Sequence, residues 1–421
     1  MKGKQILCII LLLLFAHNTL LAWNNHAGLT QIILTSYWKQ GVPNQIPVES
    51  LEDFIIKERD SLPAVFAEIE ETIAKDLPHY PKTPSHFLFQ PESITQENAK
   101  QKFFHALRVN PNHQTTAYIQ KVNIRAETES PLLNRITILN DKGKLVLETF
   151  EETKDGQFVS PLDVLVTAVD EPDYDLDLYL FSDNESEFGK QYGFGEQSFG
   201  NPKYEYSSQA PFHMGFYHEP AIIFSLAGFL KRTYPEYRIY QFTKLAEYAK
   251  KKGHHYWAYR FAGWALHYLQ DLSQPYHASV LPRVSAGKQI GVQVLAMIGL
   301  TGAKNNMIDH VTQRHTLIEE YQYFLIKDLI HNQKVNHPVF KALQTSKEED
   351  LKSPFQFSEV RNSYSKGSYE LGEDLDESLE ELQIPKYETL YEENHPIHVI
   401  LAKALYRTNV ITRRYLRSLS L

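Results

Sequence analysis

Between Phe261 and Ser279 the chain reads FAGWALHYLQDLSQPYHAS, and this stretch limits the fold more than any other. Its apolar residues recur at helical spacing and continue a pattern that runs from Tyr240 to Leu272. His267 and Asp271 are four residues apart, so a helix stacks both side chains on one face. Pro275 ends that helix, because it has no amide proton and disfavours helical geometry in the residue before it. His277 can then turn back toward the same face. A nitrogen, a carboxylate and a second nitrogen therefore fall close together in the chain. That donor set suits zinc, which takes His and Asp or Glu in tetrahedral or five-coordinate sites.

A second pair, His315 and Glu319, has the same four-residue spacing on another helical pattern, with His310 as a rival in that segment. One such pair also arises on an ordinary solvated helix face. Two pairs together with His277 point to metal chemistry. His254 and His255 read as structural or exposed.

The cysteine count narrows the metal chemistry further. Cys8 is the single cysteine, and it lies in the apolar stretch Ile6–Ala16 that follows Lys2 and Lys4. This beginning reads as a secretory signal, too short to span a bilayer, with Leu20-Leu21-Ala22 before a cleavage point at Trp23. The expected organisation is a signal peptide over 1–22 and one catalytic domain over 23–421, secreted or periplasmic. Long loops are expected at about 170–213 and 280–310. The processed chain has no thiol, so His and carboxylates must hold any metal. The formal charge of −8 and the lack of a long basic run weigh against non-specific nucleic-acid binding. They leave a metal-centred site open, because the ions bring their own positive charge.

The remaining pattern predicts a mainly α fold, a multi-helix domain with a small β-hairpin insertion. Helices are expected over His26–Trp38, Ala221–Lys231, Gln313–His331 and Ile397–Leu416. The stretch Arg135–Leu139, the turn Asn140–Gly143 and the stretch Lys144–Thr149 read as the hairpin. Residues 170–213 read as a long ordered loop whose Tyr192, Phe194 and Tyr204 are candidates for stacking a base. Residues 346–382 read as acidic surface. The apolar run Ile290–Leu300 is too short for a membrane span. A buried core helix is its plain meaning, and a lid touching membrane lipid over 289–301 is the functional one.

With these residues in view, the sequence resembles the zinc-dependent phospholipases C and the related single-strand-specific nucleases. The resemblance rests on His267-Tyr-Leu-Gln-Asp271-Leu-Ser-Gln-Pro-Tyr-His277, then on His315 and Glu319. It extends from Trp23 to about Tyr321. It implies a helical fold holding three Zn2+ ions, with Trp23 as the first residue binding through its amine and carbonyl. It further implies His26, Asp170, His213, His267, Asp271, His277, His315 and Glu319 as ligands, with Asp271 bridging two ions. Asp170 is also the candidate general base. Asp173 competes with Asp170, and His218 with His213. Asp170 and His213 are 43 residues apart, and an insertion separates His277 from His315; both departures bear on cleft shape and substrate.

The function these features imply is a secreted phosphodiester hydrolase, first a phospholipase C acting on phospholipid head groups. The His277-Ala-Ser continuation, the missing cysteines, the apolar insertion and Phe212-His213-Met favour it. A single-strand-specific nuclease is the alternative, with nucleic acid as substrate. A non-catalytic metal-binding surface protein is the third.

Overall fold

The structure, a computed structural model, describes residues 25–382 and 395–421, except 40, 78, 125, 127, 201–204 and 298–299. Trp23, the expected signal segment and Tyr204 lie outside the described residues.

The chain is mainly helical. In order, the elements that frame the site are α1 (His26–Tyr37), β1 (Ile46–Pro47), β2 (Tyr118–Gln120), β3 (Phe150–Glu152), β4 (Phe158–Val159) and α2 (Pro161–Ala168). Then come α3 (Ala210–His213), α4 (Ala221–Leu226), α5 (Pro235–Lys252), α6 (His255–Asp271), α7 (Pro275–Ala278) and α8 (Ala286–Met297). The series closes with α9 (Gly302–His331), α10 (Lys366–Glu370), α11 (Gly372–Glu381) and α12 (Pro396–Ser418). Among the described residues the strands form two antiparallel pairs, β1 with β4 and β2 with β3.

The helical pattern from Tyr240 to Leu272 is two helices rather than one. The left-handed Gly253, at φ 86°, closes α5 behind Lys250, Lys251 and Lys252, whose charges complement the carbonyl end of the helix. α6 then packs along α5, and also against α2 and α12. Every residue from Tyr256 to Asp271 is buried. A helix covered on all sides holds its polar groups rigidly, and His267 and Asp271 are both at 0% exposure. Gly263 permits the closest approach: a Cβ there would stand 2.6 Å from Ala168 Cβ on α2. As expected, α6 stops before Pro275, which starts the one-turn α7 carrying His277.

The expected hairpin over 135–149 does not form. Those residues make 3-10 turns at Leu133–Arg135 and Gly143–Leu147, and the paired strands lie outside them, with Tyr118 opposite Glu152. The reason is a competing set of partners. Thr137 Oγ1 donates to Tyr174 O (2.7 Å) and Ile138 N donates to Asp175 Oδ2 (2.8 Å). Ile136 and Leu145 join Tyr118, Phe150 and Tyr174 in a small apolar cluster instead of facing each other across a ladder.

Residues 170–213 are pinned by their own acids. Asp177 takes Arg238 Nη2 at 2.7 Å and the Tyr268 hydroxyl at 2.6 Å, and Asp175 is bound by His113. Tyr192 and Phe194 are core residues at 0% and 3% exposure, packed with Phe181 and Phe212, so neither is free to stack a base. Residues 346–382 are not merely surface: Tyr364, Leu375 and Leu379 are buried, and Tyr276 OH donates to Asp376 at 2.5 Å. The expected core helix over the apolar run is not seen at its start, where Gln289, Ile290 and Val292 of α8 are half-exposed. No described helix is long and apolar enough to cross a membrane.

Candidate metal centre

Asp271, at the end of α6, is the hub. Its Oδ2 lies 2.8 Å from His213 Nδ1 and 3.2 Å from His267 Nε2. Its Oδ1 lies 3.4 Å from His26 Nε2 and 3.5 Å from His277 Nδ1. His26 opens α1, His213 ends α3 and His277 sits on α7, so four segments deliver these groups to one carboxylate.

Three donor groups around this hub can hold a metal ion. One is His26, His267 and Asp271; a second is Asp173, His213 and His267; a third is His277, His315 and Glu319. Within each, the donor atoms lie within 4.8 Å of one another. His315 Nε2 stands 2.7 Å from Glu319 Oε1 across one helical turn, and His277 Nε2 reaches the same oxygen at 3.3 Å.

The imidazoles are oriented from behind. His267 Nδ1–H donates to Val169 O at 2.8 Å, His26 Nδ1–H to Gln270 Oε1 at 3.0 Å, and His277 Nδ1–H to His213 O at 3.1 Å. In each ring that leaves the Nε2 lone pair toward the donor group, the arrangement a metal-ligating histidine needs. Gln270 had a weaker sequence signal: it stands three after His267, so a helix sets the two side chains beside each other.

The electrostatics fit a cation. Burial holds the His267 imidazole down at about 3. Burial, with the charge of Asp271 behind it, pushes Asp173 up to about 8. Burial also opposes ionisation of Asp271, yet His267, His277, His213 and His26 hold it well below the ordinary carboxylate range. His26 Nε2, Asp271 Oδ1 and Glu319 Oε2 are buried and make no hydrogen bond. Leaving such atoms unmatched costs ~1–3 kcal/mol each. A divalent ion among these nitrogens and oxygens satisfies them, so the residues fit zinc.

Asp170 lies outside the three groups. Its Oδ1 accepts from Ala27 N and its Oδ2 from Gln120 Nε2, both at 2.9 Å, which ties α1 and β2 to the end of α2. Between the two acids, Glu171 is gripped by Arg260 and by Trp264 Nε1 (2.6 Å) on α6. The turn Pro172–Leu176 then carries Asp173 round to within 3.6 Å of His213 and 3.5 Å of His267. His218 also stands apart, its Nε2–H donating to Arg361 O at 3.1 Å. His310 is exposed and belongs to none of the groups. His254 pairs with Glu49 at 2.8 Å, and His255 is exposed.

Asp173, His213, His315 and Glu319 line a cavity of about 430 Å³, so two of the three donor groups border it. Its volume is that of a small-molecule site.

No family model matches the chain, and no curated protein matches it. Among solved structures, a crystal structure of Clostridium perfringens alpha-toxin from an avian strain is similar at a TM-score of 0.31 and 19% identity. The overlap covers 62% of this chain and 54% of that one, so the chain spans about half the length of the toxin. At that TM-score the overlap assigns no activity, and the donor geometry alone bears the functional weight.

Proposed function

We propose that this chain is a secreted, zinc-dependent phosphodiester hydrolase of the phospholipase C type. The observation that supports it most directly is that His267 is common to two of the donor groups, while Asp173, His213, His315 and Glu319, from two of the three, line one cavity. In this reading His26 and Asp271 would hold one ion together with the free amine and carbonyl of Trp23. Asp173, His213, His267 and Asp271 hold a second, and His277, His315 and Glu319 a third.

Zinc at such a site acidifies water toward a pKa of ~7 and offsets charge on phosphoryl oxygens. The chain's own residues do the rest. Val169 O, Gln270 and His213 O hold the imidazoles in one tautomer and one direction. Asp173 lines the cavity, with its side chain 13% exposed, and takes the ligand and proton-acceptor roles expected of Asp170. Water adds to phosphorus, the bond to the leaving alkoxide breaks, and Asp173 accepts the proton of that water. Asp170 is a positioning residue that fastens the start of α1, and with it His26.

The test is metal analysis joined to an assay of bis-p-nitrophenyl phosphate, dispersed phosphatidylcholine and single-stranded DNA, each with chelator and with zinc restored. The soluble diester and the lipid are expected to be hydrolysed, the activity lost on chelation and regained with zinc. A zinc-loaded protein inert toward all three would overturn the reading in favour of a non-catalytic metal protein. A chain that begins at Trp23 is expected to hold three zinc ions, and one that retains residues before it two, because an acylated amine is no longer a ligand.

A further inference from the structure

The cavity beside the donor groups has a second character. Away from Asp173, His213, His315 and Glu319, it is walled by Phe216, Ile223, Leu230, Ile290, Met307 and Val311. These come from α4 and the turns beside it, from α8, and from the first turns of α9; α8 and the start of α9 belong to the insertion between His277 and His315. Phe216, Ile223 and Leu230 form an apolar cluster separate from the main core, with Met214 and Ala286 packed on it. Met307, Val311 and Ile290 are half-exposed, so this surface is not consumed by the fold.

A cavity whose one end gathers cation ligands and whose other walls are apolar fits a molecule that is itself two-ended. We infer that it takes the hydrocarbon arm of the substrate, drawn in as a single molecule, while the phosphodiester lies against the donor groups. This rests on the hydrolase reading for the polar end and adds the apolar one. Ile223, Leu230, Ile290, Met307 and Val311 give the walls an aliphatic character that suits a flexible chain, while Phe199, Phe229 and Gln209 also line the cavity and make a nucleobase the competing occupant in the test.

The test separates this inference from the reading it rests on. Zinc-loaded protein is titrated calorimetrically with n-alkylphosphonates from methyl to octyl, below their micellar concentrations, and with adenosine monophosphate. Each added methylene is expected to tighten Kd about fourfold, and to make the binding heat capacity more negative, until the cavity is filled. Adenosine monophosphate is expected to bind no more tightly than methylphosphonate. In Met307→Asp and Ile290→Asp the ratio of octyl to methyl affinity is expected to fall more than tenfold, with zinc content as in the parent. Met307→Trp is expected to move the levelling point to shorter chains. A Kd independent of chain length, a nucleotide bound more tightly than octylphosphonate, or a slope untouched in all three variants would each overturn the inference. Turnover of bis-p-nitrophenyl phosphate is scored separately. If it is absent while the chain-length slope persists, the hydrolase reading fails and the apolar site stands.

Discussion

The two neighbouring acids, Asp170 and Asp173, have opposite expected phenotypes. Asp170 is 8% exposed, and its oxygens are the acceptors for Ala27 N and Gln120 Nε2. Asp170→Ala leaves both donors unmatched in a buried setting, at ~1–3 kcal/mol each, so the fold should lose ~2–6 kcal/mol. Asp173 makes no comparably short contact: its nearest partners are His267 and His213 at 3.5 and 3.6 Å, and the charge of Asp271 acts against it. Because burial pushes the Asp173 carboxyl up, the group costs the fold stability at neutral pH, and Asp173→Ala should unfold at the parental urea midpoint or above it when zinc is chelated. It should lower zinc content and cut turnover of a soluble diester by orders of magnitude. The assay is urea unfolding in chelator for both variants, with zinc stoichiometry and turnover on the same preparations. Asp170→Asn keeps an acceptor for Ala27 N and should recover most of the stability. An Asp170→Ala protein that is fully stable but has lost zinc, or an Asp173→Ala protein with parental turnover, would refute the assignment.

Two further outcomes are expected. His105, stacked on Phe87 and bonded to the Tyr192 hydroxyl at 2.9 Å, is held down at about 4 by burial, with Lys102 and His86 adding to the effect. Because the unfolded chain takes up that proton near 6.5 and the folded chain does not, stability should fall as pH drops from about 6.5 toward 4. Denaturant midpoints across that window should be flatter in His105→Gln, and an unchanged slope would discount His105. Gly263→Ala should cost ~1–3 kcal/mol by forcing α2 and α6 apart. Because His267 is held by Val169 O at the end of α2, the same variant should bind zinc more weakly; parental unfolding and zinc content together would discount the close approach.

The parts of the site that could be read in advance are those whose donors share one helix. His267 with Asp271, and His315 with Glu319, obey the 3.6-residue repeat, and Pro275 marks where His277 departs from it. The repeat says nothing about a carboxylate on a turn. In the run from Asp170 to Asp177 four aspartates and a glutamate have similar local surroundings, and their duties are set from far away. Ala27 and Gln120 claim Asp170, Arg260 and Trp264 claim Glu171, His113 and Ile138 claim Asp175, and Arg238 and Tyr268 claim Asp177. Asp177 also stands 3.6 Å from His213 Nε2, but its oxygens are taken by Arg238 and Tyr268, whereas Asp173 faces His213 and His267 without such partners. The same long-range bonds explain the missing hairpin, because Thr137 and Ile138 make their hydrogen bonds to this run rather than to the stretch Lys144–Thr149. The acidic turn is thus a set of buried pairs whose partners lie far away in the chain, and under the proposed reading Asp173, whose nearest side-chain partners are His267 and His213, serves as the ligand.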